Sequence, residues 1–169
     1  MKKKAIIISI KGHKLSNKEK LLFAKENPWG LILFKRNIKS LSQIKLLIKK
    51  IKKLTKDKNF PILIDEEGAT VTRLRDIINH NFSANYFGNL YLLNSKISIH
   101  LYKRYLNSLC KILRNIGISF NTIPVLDVLR ESTSVVIGNR SFSNKLSTIN
   151  KLSKICINTY TKNKIATVI

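Results

Sequence analysis

Two acidic and two arginine side chains follow apolar segments of the sequence, where the strand ends of a parallel sheet would gather them. Asp65 directly follows the third apolar run, and Asp127 follows the fourth, with Arg73 and Arg140 in the polar segments behind them. A carboxylate accepts hydrogen bonds and a guanidinium donates them in fixed directions, so this set suits the recognition of vicinal hydroxyls. A structural ion pair inside the loops is the alternative, and the residues alone leave both open.

The remaining reactive side chains indicate no metal or cofactor chemistry. His13, His80 and His100 have no partner pattern around them and are predicted to be surface or loop residues. Cys110 and Cys156 occupy apolar helical positions at no metal-ligand spacing and are predicted to be buried. The turn after the first predicted strand has a single glycine, which disfavours a dinucleotide site. We therefore expect no metal and no cofactor.

Short apolar runs alternate with amphipathic segments along the chain, as in parallel α/β proteins. The predicted strands are 4–10, 30–34, 61–64, 118–125 and 165–169. The predicted helices are one that begins after Ser16 or Asn17, one over 41–54 after the capping Ser40, one over 99–113 and one over 146–161. Residues 73–94 are predicted to be irregular.

The βα alternation is compatible with two architectures. One is an open, doubly wound sheet, and the other is a closed eight-stranded barrel of which about five strands, the N-terminal half, are present. In both, ligands bind at the carboxyl ends of the strands, where Asp65 and Asp127 lie. The chain reaches Ile169 on the apolar residues of a predicted strand, which favours the half barrel.

The chain has 32 Lys and Arg against 9 Asp and Glu, a formal net charge of +23 over 169 residues. Hydrophobic residues make up 44%, so a core is expected and the disordered class is excluded. The abundance of Ile and Asn beside Lys is typical of an A/T-rich coding sequence. The charge will attract polyanions non-specifically, but no helix-turn-helix, zinc or basic-aromatic pattern indicates specific nucleic-acid binding.

The sequence predicts a cytoplasmic protein with no membrane partner. The apolar run after the basic start is too short for a signal peptide, and no stretch approaches the ~20 apolar residues of a membrane span. Two unpaired cysteines fit a reducing compartment.

Four multi-residue blocks occur in an order and spacing that resemble a known family. They are residues 30–38, the Asp-Glu-Glu-Gly block and its continuation over 65–75, residues 120–128, and the Gly-Asn-Arg-Ser-Phe block in 137–142. Together they resemble glycoside hydrolase family 3, and within it the cytoplasmic β-N-acetylglucosaminidases (β-hexosaminidases) of bacterial cell-wall recycling. The resemblance extends from about Ile8 to Ile169.

The resemblance implies a (β/α)₈ barrel and a terminal N-acetylglucosamine on a muropeptide as substrate. It implies sugar-binding positions at Asp65, Arg73 and Arg140, and a structural role for Asp127. One departure is Ala69, where the family usually has a second glycine, so a positive φ there would strain the backbone. Another is segment 77–88, which lacks the prolines usual in the family.

The same resemblance implies that no catalytic residue lies in this chain. In the family, a Lys-His-Phe-Pro-Gly-His-Gly block, the acid/base His and the nucleophilic Asp all come after the fifth strand, and the chain reaches Ile169 before them. Glu66 and Glu67 match neither role. We expect residues 1–169 to be a partial N-terminal domain of a truncated or split enzyme that is not catalytic alone. A non-catalytic sugar or cell-wall-fragment binding module and a polyanion-binding protein are the alternatives.

Overall fold

The structure, a computed structural model, describes residues 3–169 as alternating strands and helices around one parallel sheet. The strands are β1 (Lys4–Ile8), β2 (Pro28–Leu33), β3 (Ile62–Ile64), β4 (Phe120–Asn121) and β5 (Ala166–Thr167). The helices are α1 (Asn17–Lys25), α2 (Leu41–Leu54), α3 (Ala84–Leu93), α4 (Ser95–Ile116) and α5 (Leu146–Lys162). Two 3₁₀ turns, Lys35–Asn37 and Gly138–Arg140, follow β2 and precede α5.

The strands lie side by side in chain order, β1-β2-β3-β4-β5, and every neighbouring pair is parallel. In a doubly wound sheet the spatial order of the strands reverses at a switch point. In a barrel, by contrast, strands that are consecutive in the sequence are also neighbours in the sheet. Of the two architectures that the sequence allowed, the observed strand order is that of the barrel. The predicted parallel α/β class with five strands is confirmed.

Strands β4 and β5 are shorter than predicted. The β4 ladder covers two residues of the predicted 118–125, and its amide contacts to β3 end with the N–H of Thr122, which donates to Ile64 O at 3.2 Å. Pro124 has no N–H to donate, so the ladder cannot continue through it. The β5 ladder covers Ala166 and Thr167 of the predicted 165–169.

Serine caps and apolar spacing explain the first two helices. Ser16 and Glu19 form a capping box at the start of α1, and the Ser40 hydroxyl accepts the Gln43 N–H at the start of α2. In α2 the buried residues fall on one helical face, as predicted, with the lysines on the other. The buried ones are Ile44, Leu47, Ile48 and Ile51.

Helix α1 buries its aromatic residue and exposes its two leucines. Leu21 and Leu22 are exposed, and Phe23 is the buried residue, with its ring centroid 6.0 Å from that of Phe60. Phe23 therefore packs α1 against the segment that precedes β3.

Helix α3 lies within the segment that was predicted to be irregular, so that prediction was wrong. The Ser83 hydroxyl accepts the Tyr86 N–H to cap the helix, and Phe87 and Gly88 are buried. A Cβ on Gly88 would lie 1.7 Å from the carbonyl oxygen of Phe142, so glycine permits the backbone of α3 to approach the chain before α5. Tertiary packing of this kind leaves little periodic signal in the sequence.

Candidate functional site

Asp65 lies directly after β3 and joins two neighbouring strand ends. Its Oδ2 accepts a hydrogen bond from Arg73 Nη2 at 2.8 Å, and its Oδ1 accepts one from Thr122 Oγ1 at 2.9 Å. Both members of the ion pair keep some solvent contact, since the Asp65 and Arg73 side chains are 18% and 26% exposed. The carboxylate is therefore fixed from two sides and still accessible to a ligand.

Arg140 pairs with Glu67 rather than with either predicted aspartate. Its Nε donates to Glu67 Oε2 at 2.7 Å and its Nη2 to Oε1 at 2.9 Å, a bidentate arrangement. The hydrogen bond from Glu67 raises the pKa of the guanidinium against the lowering effect of partial burial, and the charges of Asp127 and Asp65 raise it further. The second arginine is thus held in its charged form among three carboxylates.

An open crevice of about 560 Å³ lies at the strand ends beside the Arg140–Glu67 pair, and Asp65 and Arg73 are not among its lining residues. Glu67, Thr122, Asp127 and Arg140 line it. The Asp127 side chain is exposed and its carboxylate makes no hydrogen bond to any residue in 3–169, whereas its backbone carbonyl accepts the Ser141 hydroxyl at 2.5 Å. Asp127 is therefore held in place through its backbone carbonyl, and its carboxylate is left at the crevice.

Glu66, between Asp65 and Glu67 in the sequence, has the opposite environment. Its side chain is fully buried and its carboxylate accepts from the Thr72 hydroxyl at 2.5 Å and from the backbone N–H groups of Arg73 and Leu74 at 2.8 and 3.0 Å. His80 Nε2 lies 2.7 Å from its Oε1. All four contacts hold the loop that carries Arg73, so Glu66 has no free oxygen to offer a substrate.

His80 is a loop residue, as expected from the sequence, but it is mostly buried and has two partners. The Tyr105 hydroxyl lies 3.1 Å from Nδ1, while Nε2 faces Glu66. This arrangement fits a ring protonated at Nε2, which donates to the carboxylate and accepts from Tyr105. His13 and His100 are exposed, and Cys110 and Cys156 are buried thiols as predicted.

Asn121 is a supporting residue that sequence reasoning missed. Its side chain is buried at the end of β4, where Oδ1 accepts the Glu66 N–H at 2.9 Å and Nδ2 donates to the Glu66 carbonyl at 2.8 Å. Nδ2 also lies 3.0 Å from the Tyr160 hydroxyl. The side-chain amide replaces a neighbouring strand and fixes the backbone between Asp65 and Glu67. A buried polar residue inside an otherwise apolar run was the only sequence signal for it.

Arg36 and Asn37, after β2, act on the first loop of the chain. The Asn37 amide is buried and donates to the carbonyls of Ile10 and Gly12 at 2.9 and 3.2 Å. The Arg36 guanidinium carbon lies 4.6 Å from the Phe34 ring centroid, and that of Arg73 lies 5.7 Å from the same ring. Phe34 thereby presents its ring to the arginine that pairs with Asp65.

The loop after Glu67 tolerates the alanine that departs from the family pattern. Gly68 has φ +138°, and a Cβ there would lie 2.4 Å from the carbonyl oxygen of Phe82. The φ of Ala69 is not positive, and its N–H donates to the same carbonyl at 3.2 Å. The first glycine of the block is required, and the second position is unstrained with alanine.

The described residues include no metal-binding cluster and no membrane-spanning segment. Within residues 3–169, no three His, Cys, Asp or Glu side chains lie close enough to hold a metal ion. In the same part of the chain, none of the helices combines the length and apolar content that crossing a bilayer requires.

Comparison with known proteins identifies relatives of the same kind throughout. The model of the glycosyl hydrolase family 3 N-terminal domain matches residues 2–169. A β-hexosaminidase of Idiomarina loihiensis is 35% identical over 150 residues, which are 88% of this chain and 43% of that protein. One of Psychromonas ingrahamii is 32% identical over 154 residues, 90% of this chain and 44% of that protein.

Solved structures agree. NagZ from Neisseria gonorrhoeae, in complex with N-trifluoroacetyl-D-glucosamine, superposes with a TM-score of 0.84 at 26% identity, covering 96% of this chain and 48% of that one. A family 3 β-N-acetylglucosaminidase from Paenibacillus shares the fold, with a TM-score of 0.79 at 22% identity over 95% of this chain and 30% of that one. The chain spans less than half the length of each of these relatives. The α/β fold resembles the N-terminal TIM-barrel domain of NagZ, and the chain belongs to glycosyl hydrolase family 3, whose N-terminal domain it matches.

Proposed function

We propose that this chain forms the sugar-binding part of a β-N-acetylglucosaminidase site, with Asp65, Arg73 and Arg140 binding the hydroxyl and amide groups of a terminal N-acetylglucosamine. One observation carries the proposal. The Asp65 carboxylate is held by Arg73 and Thr122 at the junction of two strand ends and remains partly exposed. The relatives are named as β-hexosaminidases, and the Neisseria NagZ structure contains an N-acylglucosamine.

The ion pair suits a sugar because its two members have complementary roles toward one diol. One sugar hydroxyl donates a hydrogen bond to the Asp65 carboxylate, and the neighbouring hydroxyl accepts a hydrogen bond from an N–H of Arg73. Among residues 3–169 the Arg73 side chain makes one hydrogen bond, from Nη2 to Asp65, and it is 26% exposed, so its Nη1 group is left to donate to a ligand. Pairing keeps the carboxylate oriented before the ligand arrives, which lowers the ordering cost of binding.

Binding without hydrolysis is the role we propose for residues 1–169 alone. A retaining glycosidase needs a nucleophile and an acid/base group on either side of the glycosidic bond. Glu66 is buried with all its acceptors used, and Glu67 is held by two donors of Arg140. Since the chain spans less than half of its relatives, we propose that a C-terminal half supplies both catalytic groups. The whole enzyme would then act on N-acetylglucosamine-containing muropeptides in the cytoplasm.

The test is a titration of N-acetylglucosamine into the protein, followed by chemical-shift changes. Asp65→Asn removes the charge that accepts from Arg73, and we expect a loss of at least about tenfold in affinity, as for a charged hydrogen-bond partner. Asp76→Asn is the matched control, because Asp76 is an exposed partner of Lys35 at 3.4 Å. Thermal melts of both variants separate lost binding from lost folding.

Two results would contradict the proposal. One is the absence of N-acetylglucosamine binding by the folded protein, and the other is equal loss of affinity in the two variants. Hydrolysis of an aryl N-acetylglucosaminide by this chain, lost on Asp65→Ala, would contradict the binding-only role and leave the sugar specificity intact.

A further inference from the structure

The corner between α3 and α4 exposes a row of aliphatic side chains. Leu93, at the end of α3, is 85% exposed, and Ile97 and Leu101, in the first two turns of α4, are 50% and 40% exposed. Leu92 beside them is 47% exposed. Ile97 and Leu101 are four apart, so along α4 they form one ridge, and Leu92 and Leu93 lie at the adjoining end of α3. We refer to these four residues as the α3–α4 corner.

A second ridge beside the first is basic. Lys96, His100 and Arg104 are also four apart and lie one residue round the helix from the aliphatic ridge. All three are exposed. Lys103 and Lys111 extend the positive charge along the outer side of α4. The surface therefore combines exposed aliphatic side chains with the flanking charges of Lys96 and Arg104.

The helices packed against α4 contribute no opposing charge to this surface. α3 has no charged residue, and α2 and α5 have lysines but no aspartate or glutamate. In the whole sequence no acidic residue occurs between Asp76 and Asp127, and Asp76 lies beside Lys35. The positive field around the corner is not neutralised by its neighbours, and it will extend about one Debye length into solution.

We propose that the α3–α4 corner is a peripheral docking site for an anionic phospholipid surface. Aliphatic side chains flanked by lysine and arginine are the combination that an interfacial helix uses, since the former enter the headgroup boundary and the latter meet lipid phosphates. A nucleic acid would meet the basic residues through its phosphates, but it offers no apolar interior to the exposed aliphatic side chains, which a lipid surface does. Such docking needs no spanning helix, so it adds a membrane contact where the sequence predicted no membrane partner.

The experiment is co-sedimentation of the full chain with vesicles of phosphatidylcholine alone and of phosphatidylcholine mixed with phosphatidylglycerol. We expect binding to the mixed vesicles and none to the neutral ones. The double variant Leu93→Asp and Ile97→Asp should reduce the partition coefficient by at least about tenfold, from lost apolar burial and added negative charge. The control is Leu46→Asp with Leu146→Asp, which makes the same chemical change at residues of α2 and α5 that are 68% and 63% exposed.

Three outcomes would overturn the proposal. Absence of binding to the mixed vesicles removes it directly. An equal loss in both double variants would show attraction by the overall charge rather than by the corner. A DNA duplex that displaces the protein from mixed vesicles, and whose own binding is unchanged by the two corner substitutions, would assign the positive surface to nucleic acid instead. Thermal melts at the same salt confirm that each variant is folded.

Discussion

The Nε2 atom of His80 lies 2.7 Å from the Oε1 atom of Glu66, a carboxylate with no solvent exposure, and this contact ties the two ends of the loop that carries Arg73. Glu66 Oε2 meets the backbone N–H groups of Arg73 and Leu74 at the same time. The side chain that pairs with Asp65 is thus positioned by a neighbouring carboxylate that has no access to ligand.

Replacing Glu66 with Gln should destabilise the protein by about 1–3 kcal/mol, because the new NH₂ group will face donors wherever it points. The free energy of unfolding, measured by urea titration, checks this. Glu131→Gln makes the same change at an exposed site and should stay within about 0.5 kcal/mol of the parent. A Glu66→Gln protein of parental stability would show that the carboxylate charge does not hold the loop.

Gly88→Ala should unfold or strongly destabilise the protein. The Cβ would lie 1.7 Å from the Phe142 carbonyl, and backbone cannot move aside as a side chain can. Overpacking of this kind costs about 1–3 kcal/mol or more, which exceeds the gain of up to ~1 kcal/mol in helix propensity. Gly12→Ala is the control, since a Cβ there meets nothing within 4 Å. Thermal melting of both variants measures the difference in stability. A stabilised Gly88→Ala protein would contradict the close approach of α3 to the Phe142 backbone.

Ser16→Ala should cost about 1 kcal/mol through the loss of the α1 capping box. The Ser16 hydroxyl accepts the Glu19 N–H at 3.2 Å, and Glu19 in return accepts the Ser16 N–H at 2.7 Å. Ser108→Ala, on the exposed side of α4, should be neutral or slightly stabilising by helix propensity. Urea unfolding of the two variants measures the difference, and equal stabilities would exclude a contribution from the cap.

Stability should be constant up to about pH 8 and fall above pH 9, as the two thiols begin to titrate in the unfolded chain. Burial raises the pKa of Cys110 and of Cys156 from 9.0 to about 12, so between these values the unfolded state has lost protons that the folded state keeps. Burial likewise raises the pKa of Tyr102 and Tyr160.

Urea titrations from pH 7 to pH 10 check this, with the double variant Cys110→Ala and Cys156→Ala as the comparison. The double variant should show a shallower decline above pH 9. Stability that rises above pH 9 in the parent protein would contradict the burial of the thiols. Slow reaction of both with a thiol reagent at neutral pH is expected for the same reason.

The elements that sequence predicted best are those with one buried face. The structure gives α2 the predicted bounds, because its apolar residues recur at helical spacing and Ser40 marks its start. Helix α3 was missed because its residues are apolar on several sides and its order depends on contact with Phe142. The ends of β4 were overestimated because apolar side chains continue past the point where Pro124 stops the hydrogen-bond ladder.

For the candidate site, the strand ends at which the residues lie could be predicted from the sequence, but their hydrogen-bond partners could not. The position of Asp65 follows from its place after an apolar strand in a parallel sheet. Sequence did not reveal that Arg140 binds Glu67, or that the Asp127 carboxylate has no hydrogen bond within residues 3–169, because both depend on the path of a loop with no periodic signal. The roles of His80 and Asn121 likewise arise from burial, which a single histidine or asparagine in sequence does not reveal.

The order of strands in the sheet bears on how the polypeptide acquires its structure. Each strand pairs with the strands directly before and after it along the chain. During synthesis, every newly completed strand therefore finds its partner already present at the growing edge, and no strand has to wait for a distant segment. Pairing in chain order is compatible with stepwise assembly from the N-terminal end. Strands β1 to β4 can thus pair before β5, which follows α5, has been synthesised.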